Sequence, residues 1–231
     1  FRSNIKWEVK ICKTPAMCVV ETFKKAHEWK PDFLTFWNVD FDMTKIMEAF
    51  ERRNINPADV FCDPIVPREY RYFEYIRGAS QKVTASGKVT PIKPAARWHT
   101  VDCPASFYIV DAMCAFRQIR TGQPERQSYA LDAILKAELD GKIQKLKFEE
   151  ANHVKGAEWH IFMQRHFELE YVVYNLFDCI CVELLDEKTK DLCTAMPSAA
   201  AMSDYRKFNS QPRRTCDKLH YFVLQRGKVM G

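Results

Sequence analysis

A mixed α/β domain is what this sequence predicts, on three observations. The run Pro31-Asp-Phe-Leu-Thr-Phe-Trp-Asn-Val39 is rich in aromatic and β-branched residues, reads as a buried strand and passes at once into a helical pattern. Lys82-Val-Thr-Ala-Ser-Gly-Lys-Val-Thr90 reads as a β-hairpin that turns at Ser86-Gly87. Residues 171–185 form a helix-like run with only three strongly polar members, Asn175, Asp178 and Glu183. Strands and helices interleaved in this way are expected to pack as layers around one core.

Composition allows such a core. The 231 residues are enough for one large domain or two small ones, and 16 Phe, 9 Tyr and 5 Trp supply large apolar side chains. With 7 Gly and 11 Pro the chain is not of low complexity. A net charge of +5 permits nucleic-acid binding without requiring it. Nine Cys include no Cys-x-x-Cys pair, and the six His show no zinc spacing, so reduced, intracellular thiols are expected. No apolar run reaches membrane-spanning length and no signal peptide is visible. The chain starts Phe1-Arg-Ser-Asn without Met and ends Arg226-Gly-Lys-Val-Met-Gly231, which reads as part of a longer polypeptide.

Taken in order, residues 5–12 alternate and read as a strand or edge segment. Thr14-Pro15 is a cap followed by a first-turn proline, and a helix to about residue 29 places Met17, Val20, Phe23 and Ala26 on one face. After the strand at 31–39 a second helix carries Ile46, Met47 and Phe50 toward the core and stops near Asn54-Ile-Asn-Pro57. Residues 58–69 read as a loop, 70–76 as a strand, 91–104 as irregular, and Phe107-Tyr-Ile-Val110 as a short strand leading into Asp111 and a helix through Ile119. A helix over 128–139 ends at Gly141, a plausible C-cap. One long helix is expected over roughly 158–195, with Phe162, Leu169, Val172, Val173, Leu176, Ile180 and Leu184 as its apolar stripe and Tyr174 and Asp178 projecting away from it. Pro197 ends it, and 199–226 read as further helix carrying Arg213, Arg214, Lys218 and Arg226. That basic cluster fits either a solvated face or a phosphate contact.

Two acids are singled out. Asp178 sits in an apolar helix, where a carboxylate is costly unless it is protonated, paired or bound to a metal, and Tyr174 lies one turn before it. Asp42 lies at a strand-to-helix junction, where it either caps the helix or faces a crevice at the strand end. Carboxylates gathered without His or Cys suit hard cations such as Mg²⁺ or Mn²⁺, and two such ions can drive phosphodiester hydrolysis. Other chemistries lack their motifs: there is no Gly-x-Gly-x-x-Gly, no Walker loop and no Gly-x-Ser-x-Gly elbow. His160 and His166 stand six apart, the wrong spacing for one helical face, and Cys103 has only His99 upstream in support of a nucleophile.

Asn38-Val-Asp-Phe-Asp42 resembles the second motif of the DnaQ-like 3′–5′ exonucleases, Asn-x-x-Phe-Asp, and Tyr174-Asn-Leu-Phe-Asp178 resembles their third, Tyr-x-x-x-Asp. Ser128-Tyr-Ala-Leu-Asp132 and the segment 142–148 are similar to the stretch joining these motifs in family B DNA polymerases, above all those of large tailed phages. The resemblance spans nearly the whole chain. It implies an RNase H-like α/β fold: a mixed sheet flanked by helices, with a β-hairpin insertion and a helical C-terminal extension. Residues 1–196 would form a partial 3′–5′ exonuclease domain and 197–231 a helical segment leading toward a polymerase domain. The implied activity is proofreading, a two-metal hydrolysis of the 3′-terminal phosphodiester. Asp42 and Asp178 would hold Mg²⁺ or Mn²⁺, Tyr174 would position the attacking water or scissile phosphate, and Asn38 and Phe41 would line the pocket for the terminal nucleotide. The implied partners are DNA and the rest of the polymerase polypeptide; no membrane is involved, and an intracellular monomer is expected, in the host cytoplasm if the protein is phage-encoded.

The chain also departs from the family. Its first motif, Asp-x-Glu on an earlier strand, occurs nowhere here. The Asn38-to-Asp42 spacing is one shorter than in several family B enzymes, and the polymerase palm motifs are absent. The expected domain is therefore incomplete, and weak or inactive alone. The alternative is a non-catalytic nucleic-acid-binding scaffold domain of a polymerase.

Overall fold

In the computed structural model, which describes residues 8–143 and 146–192, the predicted buried strand folds as β1 (Phe33–Phe36). It pairs in parallel with β6 (Tyr108–Asp111), with Phe33 opposite Tyr108 and Phe36 opposite Asp111. Strand and helix alternate along the chain, so the protein is of the mixed α/β class. The chain divides into two compact units, Phe1–Cys114 and Ala115–Gly231. The segment 197–231, with Arg213, Arg214, Lys218 and Arg226, lies outside the described residues. So does the start of the 5–12 segment, whose described part, 8–12, forms no strand.

The first unit is built on α1 (Pro15–Trp29) and α2 (Val39–Glu51). Thr14 Oγ1 accepts the Met17 N–H at 3.3 Å and Pro15 fills the first turn, where no intrahelical donor is needed. Ala16, Phe23 and Ala26 form the inner face of α1, whereas Met17 is 44% exposed. Residues expected in a loop instead fold as α3 (Pro57–Phe61), because Asn56 Oδ1 accepts the Ala58 N–H at 3.1 Å and Pro57 follows it. α2 has already stopped at Glu51, and the Asn-Pro pair starts another helix. The Phe61 ring anchors the core, with centroids 4.2 Å from Phe23, 4.6 Å from Phe73 and 6.3 Å from Phe50. Aromatic pairs at these separations contribute about 0.5–1.5 kcal/mol each beyond their burial.

Two short antiparallel ladders complete this unit. β2 (Glu74–Ile76) pairs with β5 (Thr100–Asp102), which was expected to be irregular. Its partner lies more than twenty positions upstream, and no local pattern announces that pairing. The hairpin forms where predicted, as β3 (Gln81–Val83) and β4 (Val89–Pro91), with Gly87 at φ 79° in the turn.

The second unit takes over within α4 (Ala112–Ile119), followed by α5 (Leu131–Glu138). Phe116 is buried, and the Arg120 guanidinium lies 3.6 Å from its ring centre while pairing with Asp191 at 2.6 Å. The single long helix expected over 158–195 is two: α6 (Ala157–His166) and α7 (Glu168–Thr189). They break at Phe167, whose φ of −140° leaves the helical region. α7 stops at Thr189, where Lys190 takes a left-handed φ of 58°.

The expected apolar stripe of this helix is corrected as well. Leu169 is 73% and Val173 46% exposed, whereas Cys181 and Leu185 are buried. Stepping back by helical spacing from Leu185 gives Cys181, Asp178 and Tyr174, at intervals of four, three and four. Tyr174 and Asp178 therefore share the buried face of α7 rather than projecting away from it. No described helix is long and apolar enough to cross a membrane. No disulfide joins the described cysteines.

Candidate functional site

β1 delivers its chain to α2 at Asn38, and this junction gathers most of the first unit's polar chemistry. Asn38 is extended, at φ −140°, and its Oδ1 accepts the Phe41 N–H at 3.4 Å. Asn38, rather than Asp42, is the helix cap. Asp42 is thus not the cap; it sits one turn inside α2, beside the fully buried Met43, and does not line the cavity beside Asn38 and Phe41. Phe41 is 59% exposed, an apolar ring left in solvent next to a polar helix start.

A second acid meets the same junction. Asp111 ends β6, is 1% exposed, and spans two helix starts: Oδ2 accepts the Val39 N–H at 3.1 Å and Oδ1 the Cys114 N–H at 2.8 Å. The Met113 N–H donates to the Trp37 carbonyl at 3.1 Å, which extends the parallel pairing past the strand ends. Burial pushes the Asp111 carboxyl up to about 6, against the two backbone donors that favour its charge. Burial also pushes Asp42 up to about 6, and the Asp111 charge adds to the rise. One acid at the end of β6 and one in the first turn of α2 thus share a poorly solvated corner. Sequence reading placed Asp111 at a strand end without assigning it a role.

Asp40 carries a separate network. Its Oδ1 accepts the Tyr75 hydroxyl at 2.7 Å, pairs with Arg77 Nε at 3.3 Å and lies 3.7 Å from His99 Nδ1. Arg77 also donates to Thr44 Oγ1 at 3.2 Å. His99 is buried, and its Nδ1 accepts the Gly78 N–H at 3.4 Å, which places the proton of the neutral ring on Nε2. Burial lowers the His99 pKa, with Asp40 pulling the other way. Gly78 is required here because a Cβ would stand 2.6 Å from the Trp98 carbonyl oxygen. The sequence hid this cluster, since its members lie 24 and 35 positions apart.

A cavity of about 360 Å³ opens beside it, lined by Asn38, Asp40, Phe41, Lys45, Arg97 and His99 among others. Asn38 and Phe41, read from the sequence as substrate-binding residues, thus meet in one pocket.

Tyr174 and Asp178 belong to the second unit. Tyr174 packs in an aromatic cluster, 5.0 Å from Trp159, 6.3 Å from Tyr171 and 6.4 Å from Phe148 between ring centres. Asp178 is half-buried one turn later, with Oδ1 shielded from solvent. The Cys103 thiol is pushed up to about 12 by burial, so it is not a thiolate near neutral pH.

As a ligand for a hard divalent cation, Asp42 has suitable chemistry: a poorly solvated carboxylate whose ionised form such a cation would favour. Asp111 is less available, because both its oxygens already accept backbone N–H groups. Among the described residues, no three His, Cys, Asp or Glu side chains gather as a metal-holding group. Compared with known proteins, the chain matches no family model and no curated protein sequence.

Proposed function

We propose that this chain is a 3′–5′ exonuclease domain of the kind that proofreads for family B DNA polymerases, with an RNase H-like fold. The observation that carries this reading is the placement of the Asn38-to-Asp42 motif. It lies where a parallel strand feeds a helix, with Asn38 as cap, Phe41 exposed beside a pocket and Asp42 desolvated one turn in. In an open α/β arrangement, ligands collect outside the carboxyl ends of strands, and β1 and β6 both end here. For the RNase H-like fold, the β1–β6 ladder would be the remnant of a larger mixed sheet, with β3 and β4 as the hairpin insertion.

On this reading Asp42 and Asp178 are ligands of Mg²⁺ or Mn²⁺. The ions would supply an activated water and charge neutralisation at the leaving oxygen. Phe41 would stack on the terminal base, Asn38 would hold the strand end by fixing the first turn of α2, and Tyr174 would orient the attacking water or the scissile phosphate. With no Asp-x-Glu in the chain, the ions would be held by too few carboxylates, so hydrolysis is expected to be weak. The partners are a single-stranded DNA 3′ end and the remaining polymerase polypeptide. The protein acts as a monomer inside the cell, in the host cytoplasm for a phage enzyme.

The test is loss of single nucleotides from the 3′ end of a single-stranded oligonucleotide. Slow, Mg²⁺-dependent loss is expected, abolished by Asp42→Asn and by Asp178→Ala. Robust activity that survives Asp178→Ala would overturn the site assignment.

A second reading rests on the lack of an Asp-x-Glu motif in the sequence. It is a non-catalytic scaffold that binds single strands for a polymerase. Strand binding of equal strength with and without Mg²⁺, and with no hydrolysis, would favour it.

A further inference from the structure

We propose that Arg97 is a phosphodiester clamp, seating a backbone phosphate of a single-stranded nucleic acid while Phe41 stacks on the adjoining base. Arg97 is not part of any motif that suggested a role from sequence. Its Nε donates to the Ile92 carbonyl at 2.7 Å, which fixes the plane of the guanidinium. Its two Nη groups make no hydrogen bond and no ion pair among the described residues. A guanidinium oriented through one nitrogen, with its two-pronged end unengaged, matches the bidentate geometry of a phosphate. It is half-buried, so less of its rotamer freedom remains to be lost on binding.

The surroundings select a nucleotide unit rather than a bare anion. Arg97 and Phe41 line the same cavity of about 360 Å³, within the range of small-ligand pockets. Phe41 is 59% exposed, with an open face suited to a base. Lys45 lines the pocket too; its pairing with Glu48 at 3.0 Å is between exposed side chains and readily exchanged for a phosphate. Asp40 is also in the wall, but its charge is engaged by Arg77 and Tyr75. That carboxylate disfavours a doubly charged terminal phosphate and tolerates a singly charged diester. The pocket therefore suits an internal position of a strand. The inference shares Phe41 with the exonuclease reading and deepens it, but requires no metal and no hydrolysis.

The experiment measures binding of a dye-labelled oligothymidylate to the full 231-residue chain by fluorescence anisotropy, in EDTA, across a salt series. Arg97→Gln is expected to weaken binding about tenfold and to lower the salt slope by about 0.7, the value for one single-strand phosphate contact. Arg97→Lys should keep the slope while recovering only part of the affinity, because the charge remains and the fork is lost. Phe41→Ala, an exposed position that leaves the fold intact, should weaken binding at an unchanged slope. Equal affinity and slope for wild type and Arg97→Gln would overturn the clamp, as would Phe41→Ala binding like wild type. Thymidine monophosphate displacing the strand at matched concentrations of nucleotide would also overturn it. Hydrolysis is not read, so absent 3′ loss with these binding effects intact would sink only the exonuclease reading.

Discussion

Asp111 reaches a helix it does not belong to: its Oδ2 accepts the N–H of Val39, the first residue of α2, at 3.1 Å across 72 positions of sequence. Its other oxygen accepts the Cys114 N–H in the first turn of α4. One carboxylate thus satisfies two backbone donors at helix starts, where intrahelical acceptors are missing. It also stands on the strand paired with β1, so it fixes how far α2 begins beyond that strand.

Asp111→Ala should therefore cost more than an ordinary surface change. Two buried N–H groups would lose their acceptor, at roughly 1–3 kcal/mol each where no water replaces it. Chemical denaturation of the variant should show a midpoint shift of that order. A loss below about 0.5 kcal/mol would mean that the two helix starts do not depend on Asp111.

Asp42 should behave in the opposite way. Its folded carboxyl lies at about 6, above the unfolded value of about 3.9. A raised carboxyl contributes stability that is fully present below the unfolded pKa and is lost as pH rises through about 6. At pH 8 the ionised group is a burden of about 1–3 kcal/mol, so Asp42→Asn should stabilise the protein at pH 8 and have little effect at pH 4. Thermal melts at the two pH values would check this.

The junction of β1 and α2 was legible because its signals are local: an aromatic-rich run, then Asn38, then a helical period. The hairpin was legible for the same reason, through Ser86-Gly87. The pairing of β2 with β5 and the Asp40–Tyr75–His99 cluster were not, because each joins segments whose contact is decided only when the chain folds. The break at Phe167 carries no proline or glycine to announce it. In α7 the run 171–185 is apolar on nearly every side, so its sequence does not select which stripe is buried.

His99 gives a pH dependence of the other sign. Burial lowers its pKa below the unfolded value, about 6.5. A lowered histidine contributes stability that is present above the unfolded pKa and is lost as pH falls through the folded one. An NMR titration should give a His99 midpoint below 6.5, and Asp40→Asn should lower it further, since Asp40 is the charge that raises it. Tyr75→Phe removes a half-buried hydroxyl from the Asp40 carboxylate and should cost about 1 kcal/mol.

Gly78→Ala tests how closely β2's end approaches the Trp98 backbone. The new methyl would stand 2.6 Å from the Trp98 oxygen and 2.9 Å from its nitrogen, and neither is the end of a flexible side chain. The backbone must shift, which costs typically about 1–3 kcal/mol. The same shift would move the Gly78 N–H away from His99 Nδ1, so the His99 titration should change along with stability. A stable variant with an unaltered His99 midpoint would show that the approach is looser than 2.6 Å implies.

Which stripe of α7 faces the interior decides where Asp178 sits, and paired truncations separate the two choices. Leu185 is 3% exposed and Cys181 fully buried, while Leu169 is 73% exposed. Leu185→Ala should cost about 2–5 kcal/mol and Leu169→Ala less than about 0.5 kcal/mol. Since Asp178 lies seven residues before Leu185 and Tyr174 four before Asp178, a large effect at Leu185 places both functional candidates on the inward face. Equal, small losses at both leucines would instead restore the stripe through Leu169, Val173 and Leu176. Asp178 would then turn to solvent, and its shielded Oδ1 would have to be reassigned.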